Sequence, residues 1–338
     1  MIDRRTILLS ALATPLLATR GWSDTAGKVR IGLPTNSLSY VKIFAARALD
    51  TFAAQDVAME FAQVPGGDPT VLAAVDSGDL DLAAVGGDSA LAAVAKGQPF
   101  KLIYTLMGRL PYVLTVSNKY LQKVGVTKDA PLDKRIGVMA NAIIGVSALG
   151  GAQDRVARWL ALQGGLDPKA IKLAVVGSPA ALGAALEAGR IDAFVLSPPE
   201  SVIAASKGYG TVLVHPAKEI AGSGVLPSLV LAARADVSPP MQAAIVRSLR
   251  AMNAAASAIH DDPNGVADKI TAKFFSKVDP SIIRASVNSL ADGVSGDGHL
   301  SAQSIAALVK FATQTGNPAP TTKDFWTDSY AAAAAKKA

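Results

Sequence analysis

The chain has 338 residues, half of them apolar and only 5% aromatic, with a formal charge of +6. That length fits one large or two medium domains with a sizeable core. The lack of cysteine excludes disulfides, thiolate metal sites and cysteine nucleophiles.

Residues 1–23 have a basic start (Arg4, Arg5) and an apolar run at 6–18, shorter than the roughly 20 residues a membrane-spanning helix needs. They read as a signal peptide for export, of the ordinary or the twin-arginine kind, and no cysteine follows for a lipid anchor. Cleavage near Ser23 removes three arginines and one aspartate, leaving +4 without charge runs, so no nucleic-acid partner is expected.

Residues 28–34 alternate with β-branched side chains and predict a strand; a polar loop follows at 35–40, then a helix at 41–55. A second strand is predicted at 58–64. Gly66-Gly67-Asp68-Pro69 then opens a helix, with Asp68 as N-cap and Pro69 at the first helical position. A buried strand at 81–85 leads through Gly86-Gly87-Asp88-Ser89 into a helix ending at Lys96-Gly97, and a strand follows at 101–105. A further strand at 112–117 leaves this unit. A second unit repeats the order, with a strand at 135–139, a small-residue loop at 141–151, a helix at 152–163 and a strand at 172–176. A helix opened by Ser178-Pro179, a strand at 193–196, a helix opened by Ser197-Pro198-Pro199-Glu200 and a strand at 211–214 complete it. A strand at 227–233 is expected to pair with 112–117. Helices at 241–260, 263–275, 280–290, 302–315 and 323–335 close the chain.

The two units share more than order. Residues 74–82 and 185–193 read alike, 111 positions apart, through Gly78-Asp79-Leu80-Asp81 and Gly189-Arg190-Ile191-Asp192. The match runs on to Lys96-Gly97 and Lys207-Gly208, and a shorter one pairs Ile31-Gly32 with Ile136-Gly137. Strands alternating with helices imply mostly parallel sheets covered on both faces. The expected fold class is therefore α/β, with two similar lobes joined by a two-strand hinge and a helical C-terminal region. Lobe 1 takes residues 28–111 and 234–338, and lobe 2, inserted, takes 112–233.

Ligands in such sheets lie beyond the carboxyl ends of the strands, where helix N-termini also offer free N–H groups. Five loops qualify. The first offers Asn36, Ser37 and Tyr40, with Ser37 or Ser39 as plain helix caps being the alternative. The second offers Gly67 and Asp68, where N-capping is the stronger explanation of Asp68. The third offers Gly87 and Asp88, the latter suited equally to a ligand amine and to a cap. The fourth offers Asn141 and Ser147, with Ser178 at the next helix start, where Ser-Pro is a common cap. The fifth offers Ser197 and Glu200, whose Ser-x-x-Glu spacing also fits a capping box. Arg109, just past a strand, suits either an anion clamp or an ion pair, between the lobes or on the surface. His215, His260 and His299 lack metal spacing, and no Gly-x-Ser-x-Gly or Gly-x-Gly-x-x-Gly motif is present, so neither catalysis, metal nor cofactor is expected.

The block from Ala152 through Gly164-Gly165-Leu166-Asp167-Pro168, then Gly177-Ser178-Pro179 and residues 185–193, resembles the nitrate/sulfonate/taurine branch of ABC-importer solute-binding proteins. That branch also includes binders of thiamine-pyrimidine precursors. The resemblance implies a type II periplasmic binding protein, monomeric, which captures solute in the periplasm and delivers it to a membrane permease driven by an ATPase. A small organic anion, a sulfonate or carboxylate, is the expected solute, although Arg109 with Asp88 and Glu200 would suit a zwitterion. Two other readings stay open: an enzyme on the same fold acting on a small heterocycle or sulfinate, and a sensing module for a membrane receptor.

Overall fold

A computed structural model describes residues 27–336; the expected signal peptide lies outside them. Ten strands follow in order: β1 (Lys28–Leu33), β2 (Ala58–Gln63), β3 (Leu82–Gly86), β4 (Phe100–Met107), β5 (Val113–Ser117), β6 (Ile143–Val146), β7 (Lys172–Val175), β8 (Ala193–Leu196), β9 (Gly210–Val214) and β10 (Leu229–Arg234). They build two five-stranded sheets of one topology, β2-β1-β3-β10-β4 and β7-β6-β8-β5-β9. In each, the first three strands run parallel and the fourth runs antiparallel to both neighbours. The two sheets with their helices form two α/β lobes.

The crossover strands depart from expectation. The segment 227–233 does not pair with 112–117. Strand β10 lies between β3 and β4 in the first sheet, and β5 lies between β8 and β9 in the second. The reason is geometric. A chain leaving the carboxyl end of β4 crosses the cleft and enters the other sheet at its own carboxyl edge. It must then run against the parallel strands. The return crossing repeats this, so each crossover strand is absorbed into the lobe it enters. The hinge consists instead of the short segments 108–112 and 226–228. They lie side by side: Ser228 N donates to Met107 O (2.9 Å) and Ser228 Oγ to Arg109 O (2.6 Å).

The start of the second unit also shifts. Residues 135–139, expected as a strand, lie in the helix Leu132–Gly137 and a following helical turn. The matching strand is β6, so Ile31-Gly32 corresponds to Ile144-Gly145 and not to Ile136-Gly137. Both glycines sit where a side chain has no room. A Cβ on Gly32 would clash with Leu80 Cδ1 and Val71 Cγ1, and one on Gly145 would lie 2.5 Å from Ile191 Cδ1 and Leu182 Cδ2. Leu80 and Ile191, like Val71 and Leu182, are partners in the repeat.

The repeated aspartate has a structural role. Asp81 accepts the Arg30 backbone N–H (2.7 Å), while its own N–H donates to Arg30 O (2.9 Å). Asp192 does the same with Ile143, at 2.8 Å in both directions. The acid thus extends the ladder between two parallel strands by one turn of chain, satisfying donors that would otherwise be unpaired.

After β10 the chain is helical: Pro239–Asp261, Pro263–Phe274, Pro280–Ala291, Ala302–Gln314 and Ser329–Ala335. The last helix is shorter than the predicted 323–335, because Trp326 makes a bridge beside Leu102 of β4. The helix Ala302–Gln314 packs on the helix Gly87–Ala95 and also touches the second lobe. There Trp159 meets Phe311 edge to face at 5.4 Å, and its indole N–H donates to Gln314 Oε1 (3.1 Å). One apolar cluster accordingly joins Val71, Val85 and Leu308 of the first lobe to Val156 and Leu160 of the second. The lobes are closed on each other.

Candidate functional site

The inner ends of the two sheets face each other across the hinge. On the first lobe, β3 ends at Gly86, and the helix Gly87–Ala95 starts at once with Asp88 in its first turn. Asp88 is buried and pairs across the cleft with Arg155, Nε to Oδ2 at 2.6 Å. Arg155 Nη2 also reaches Ser89 Oγ at 3.0 Å. This guanidinium comes from the first turn of the helix Ala152–Gln163, which follows β6. A second cross-cleft contact runs from Ser39 Oγ to Ser197 Oγ (2.8 Å), with Ser37 Oγ 3.4 Å from the same hydroxyl. Ser197 stands at the carboxyl end of β8.

Asp68 turns inward from the start of the helix Asp68–Asp76. It is not the N-cap: Gly67 holds that position at φ +84°, a left-handed conformation suited to glycine. The Asp68 carboxylate instead accepts the Gly86 N–H at 3.1 Å. Burial raises its pKa, against the lowering effect of hydrogen bonds from Ser89 and Gly86; the charge of Asp88 adds to the rise and that of Arg155 opposes it. Gly86 lies between the two acids, where a Cβ would be 2.9 Å from Asp88 Oδ1 and 3.0 Å from Asp68 Oδ2.

Two tyrosines complete the cluster. Tyr40, buried at the end of the first loop, has its pKa pushed well up by burial and by the charges of Asp68 and Tyr112. Tyr112, in the outgoing crossover, is raised by burial and by Asp68 and Asp88, with Arg155 opposing. Neither hydroxyl makes a hydrogen bond with a described residue. In the second lobe, Ser147 follows β6 directly, and its hydroxyl is buried without a partner.

The structure therefore brings together Ser37, Tyr40, Asp68, Asp88 and Ser197 of the expected residues, with Ser147 at the matching strand end. The others lie elsewhere. Asn36 is exposed and donates to Gln63 Oε1 (2.7 Å). Gly67 serves the helix start, as described. Gly87 serves packing, since a Cβ there would strike the Pro227 carbonyl oxygen. Asn141 precedes β6 and so sits at the outer end of its sheet, a consequence of the shifted strand. Ser178 is an exposed N-cap that accepts the Ala181 N–H. Glu200 makes no capping box, because Pro199 holds the N-cap; burial raises its pKa, and its chain lies near Gly183 within the second lobe. Arg109 belongs to the hinge, lining cavities there with Gly293 and Asp292, and its backbone oxygen accepts from Ser228.

Sequence reasoning missed Arg155, Ser39, Ser89 and Tyr112 as site residues. A signal for Arg155 existed: once β6 is placed at Ile143–Val146, the next helix start, with its lone arginine in the first turn, follows a strand end. Among the described residues no group of three His, Asp or Glu side chains is placed to hold a metal.

The sequence matches the NMT1-like family over residues 26–273. The chain belongs to this family. No curated protein sequence matches it. Among solved structures, a protein of Bordetella bronchiseptica RB50 is 23% identical with a TM-score of 0.74, covering 92% of this chain and 97% of its own. The periplasmic aliphatic sulphonate binding protein SsuA of Escherichia coli is 15% identical with a TM-score of 0.69, covering 90% and 99%. A zinc-bound ligand-binding component of an ABC-type import system from Staphylococcus aureus is 18% identical with a TM-score of 0.66, covering 92% and 100%. At these identities the likeness establishes the fold. This NMT1-like chain shares the two-lobed architecture of periplasmic binding proteins over nearly its whole described length.

Proposed function

We propose that this protein is the solute-binding component of an ABC importer. It works in the periplasm after export, holds a small organic solute bearing a carboxylate or sulfonate between its lobes, and delivers it to a membrane permease driven by an ATPase. It performs no chemistry of its own. The observation that carries this reading is the contact across the cleft, through Asp88–Arg155 and Ser39–Ser197, together with the buried Ser147 hydroxyl at the end of β6, which has no partner among the described residues. Buried polar groups without partners are rare in folded proteins and mark where another molecule supplies the bond. The helices starting at Asp68 and Ala152 lack a side-chain N-cap, so N–H groups of their first turns are available near the same place. A solute that touches both lobes binds the closed form better and shifts the population toward it.

The test is direct. Protein purified from the periplasm is examined by native mass spectrometry for retained solute, then unfolded, freed of it and refolded. Adding back the released solute, or a member of a sulfonate and carboxylate series, is expected to raise the Tm and reduce the radius of gyration in solution scattering. A refolded protein that neither stabilises nor compacts with any of them overturns the reading.

A further inference from the structure

The charges of the cleft do not balance on their own. Asp68 and Asp88 converge on Gly86, from the helix starts at Asp68 and Gly87. The cation facing them, Arg155, is committed to Asp88 at 2.6 Å and to Ser89 at 3.0 Å. Asp68 retains the Gly86 N–H and the Ser89 hydroxyl as its partners. Beside it stands Tyr40, only 4% exposed, with a hydroxyl that bonds to no described residue although Asp68 and Tyr112 both lie within electrostatic reach. A carboxylate with spare acceptor capacity next to a free hydroxyl oxygen accepts N–H groups well and repels anions.

We infer that the solute carries a protonated amine, seated between Asp68 and Tyr40, with Asp88 and Tyr112 bordering the same subsite. The proposal rests on the solute-binding reading and specifies its solute. Two carboxylates and one guanidinium leave one negative charge, and a single ammonium neutralises it. Its three donors match the Asp68 carboxylate and the Tyr40 oxygen, while any acid group of the same solute points toward Ser147 and the start of the helix Ala152–Gln163. From the sequence, Asp88 suits a ligand amine and a helix cap equally. The structure moves the amine to Asp68, because Arg155 already occupies Asp88.

This arrangement has a pH signature. Burial makes Asp68 easier to protonate than an ordinary carboxyl, and its charged or titratable neighbours are Asp88, Arg155, Tyr40 and Tyr112. Amine affinity therefore falls as acid protonates Asp68, and it recovers on returning to neutral pH.

Matched probes test the inference: taurine against isethionate, β-alanine against 3-hydroxypropionate, and benzylamine against benzyl alcohol. Titration calorimetry on the solute-free full chain is expected to favour the amine of at least one pair by roughly tenfold or more, the scale of a charge-assisted hydrogen bond. Asp68→Asn is expected to erase that preference, with circular dichroism confirming the fold. Tyr40→Phe, which keeps the ring, is expected to reduce it several-fold. Preference for the hydroxy partner, or an amine preference that survives Asp68→Asn, overturns the amine subsite while leaving solute binding intact. Failure of every probe and of the solutes released on unfolding overturns the solute-binding reading as well.

Discussion

The two lobes share one skeleton and differ at both of its ends. At the outer end, Asp81 and Asp192 clip adjacent parallel strands through the same pair of backbone bonds. In the first lobe the clip is reinforced: Arg30 adds Nε to Oδ2 at 3.0 Å and Nη2 to Oδ1 at 2.7 Å. In the second lobe, Ile143 stands in the arginine's place and the acid keeps the backbone bond alone. At the inner end the difference reverses in sense. The first lobe presents the acids, Asp68 and Asp88. The second presents hydroxyls and the single guanidinium, Ser147, Ser197 and Arg155. Duplication preserved what the strands need from one another, and the cleft faces became complementary in charge.

The comparison can be broken most severely at its charged seam. Arg155→Gln leaves Asp88 buried against a neutral partner. Removing one member of a buried pair costs roughly 3–5 kcal/mol, reduced here because Arg155 keeps some contact with solvent. The cost falls on the closed form, so solution scattering is expected to show a larger radius of gyration. A radius equal to that of the parent would mean that the pair does not hold the lobes together. Next come the glycines. Gly32→Val and Gly145→Val each force a branched side chain into a filled layer and are expected to lose about 1–3 kcal/mol in denaturant titrations. Near-equal losses support one skeleton used twice, and a neutral effect at either site breaks the equivalence.

The clips give a smaller and unequal pair. Asp81→Ala removes one backbone N–H acceptor and two bonds from the Arg30 guanidinium, whereas Asp192→Ala removes only the acceptor of the Ile143 N–H. Losses of about 2 and about 1 kcal/mol are expected on the scale of net intramolecular hydrogen bonds, and the reverse order would deny Arg30 its role. The smallest effect concerns Asp68. Because folding raises its pKa, the folded chain binds more protons than the unfolded one in the acid range. Stability then declines as pH rises from the ordinary carboxylate range through the raised value, and stays lower above it. Asp68→Asn removes that decline, so without solute the variant is expected to melt slightly higher at pH 7 and no higher at pH 3.

Much of this was legible in the sequence because a repeat is self-checking. The Gly-x-Leu/Ile-Asp turns located β3 and β8 correctly, and the helix starts after them pointed to Asp88 and Ser197. What escaped was set by contacts at long range. Residues 135–139 carry a strand-like apolar pattern, yet Arg135 Nε and Nη1 bond to Ala130 O and Leu213 O, at 2.8 Å each, and the segment coils into a helix. That misplacement put Asn141 at the wrong end of its sheet and hid Arg155. The crossover strands were recognisable as strands, but the sheet that takes up each one follows from the direction in which the chain enters it. Asp68 looked like a cap because Asp-Pro is a frequent helix start; only the fold reveals that Gly67 caps and that the acid is free to turn inward.

The contact between Gly87 and the return crossover bears on how motion is shared. Gly87 N donates to Ser228 O at 3.0 Å, and no side chain fits between Gly87 and the Pro227 carbonyl. The residue next to Asp88 is therefore fastened to the chain that carries the second lobe home, and Ser228 is itself tied to Met107 and Arg109 of the outgoing chain. Both crossings are anchored at the floor of the first lobe, which places the fulcrum there and not midway between the lobes. A tilt about these segments would displace Arg155, which the second lobe carries, more than Asp88, whose neighbour Gly87 is bonded to Ser228.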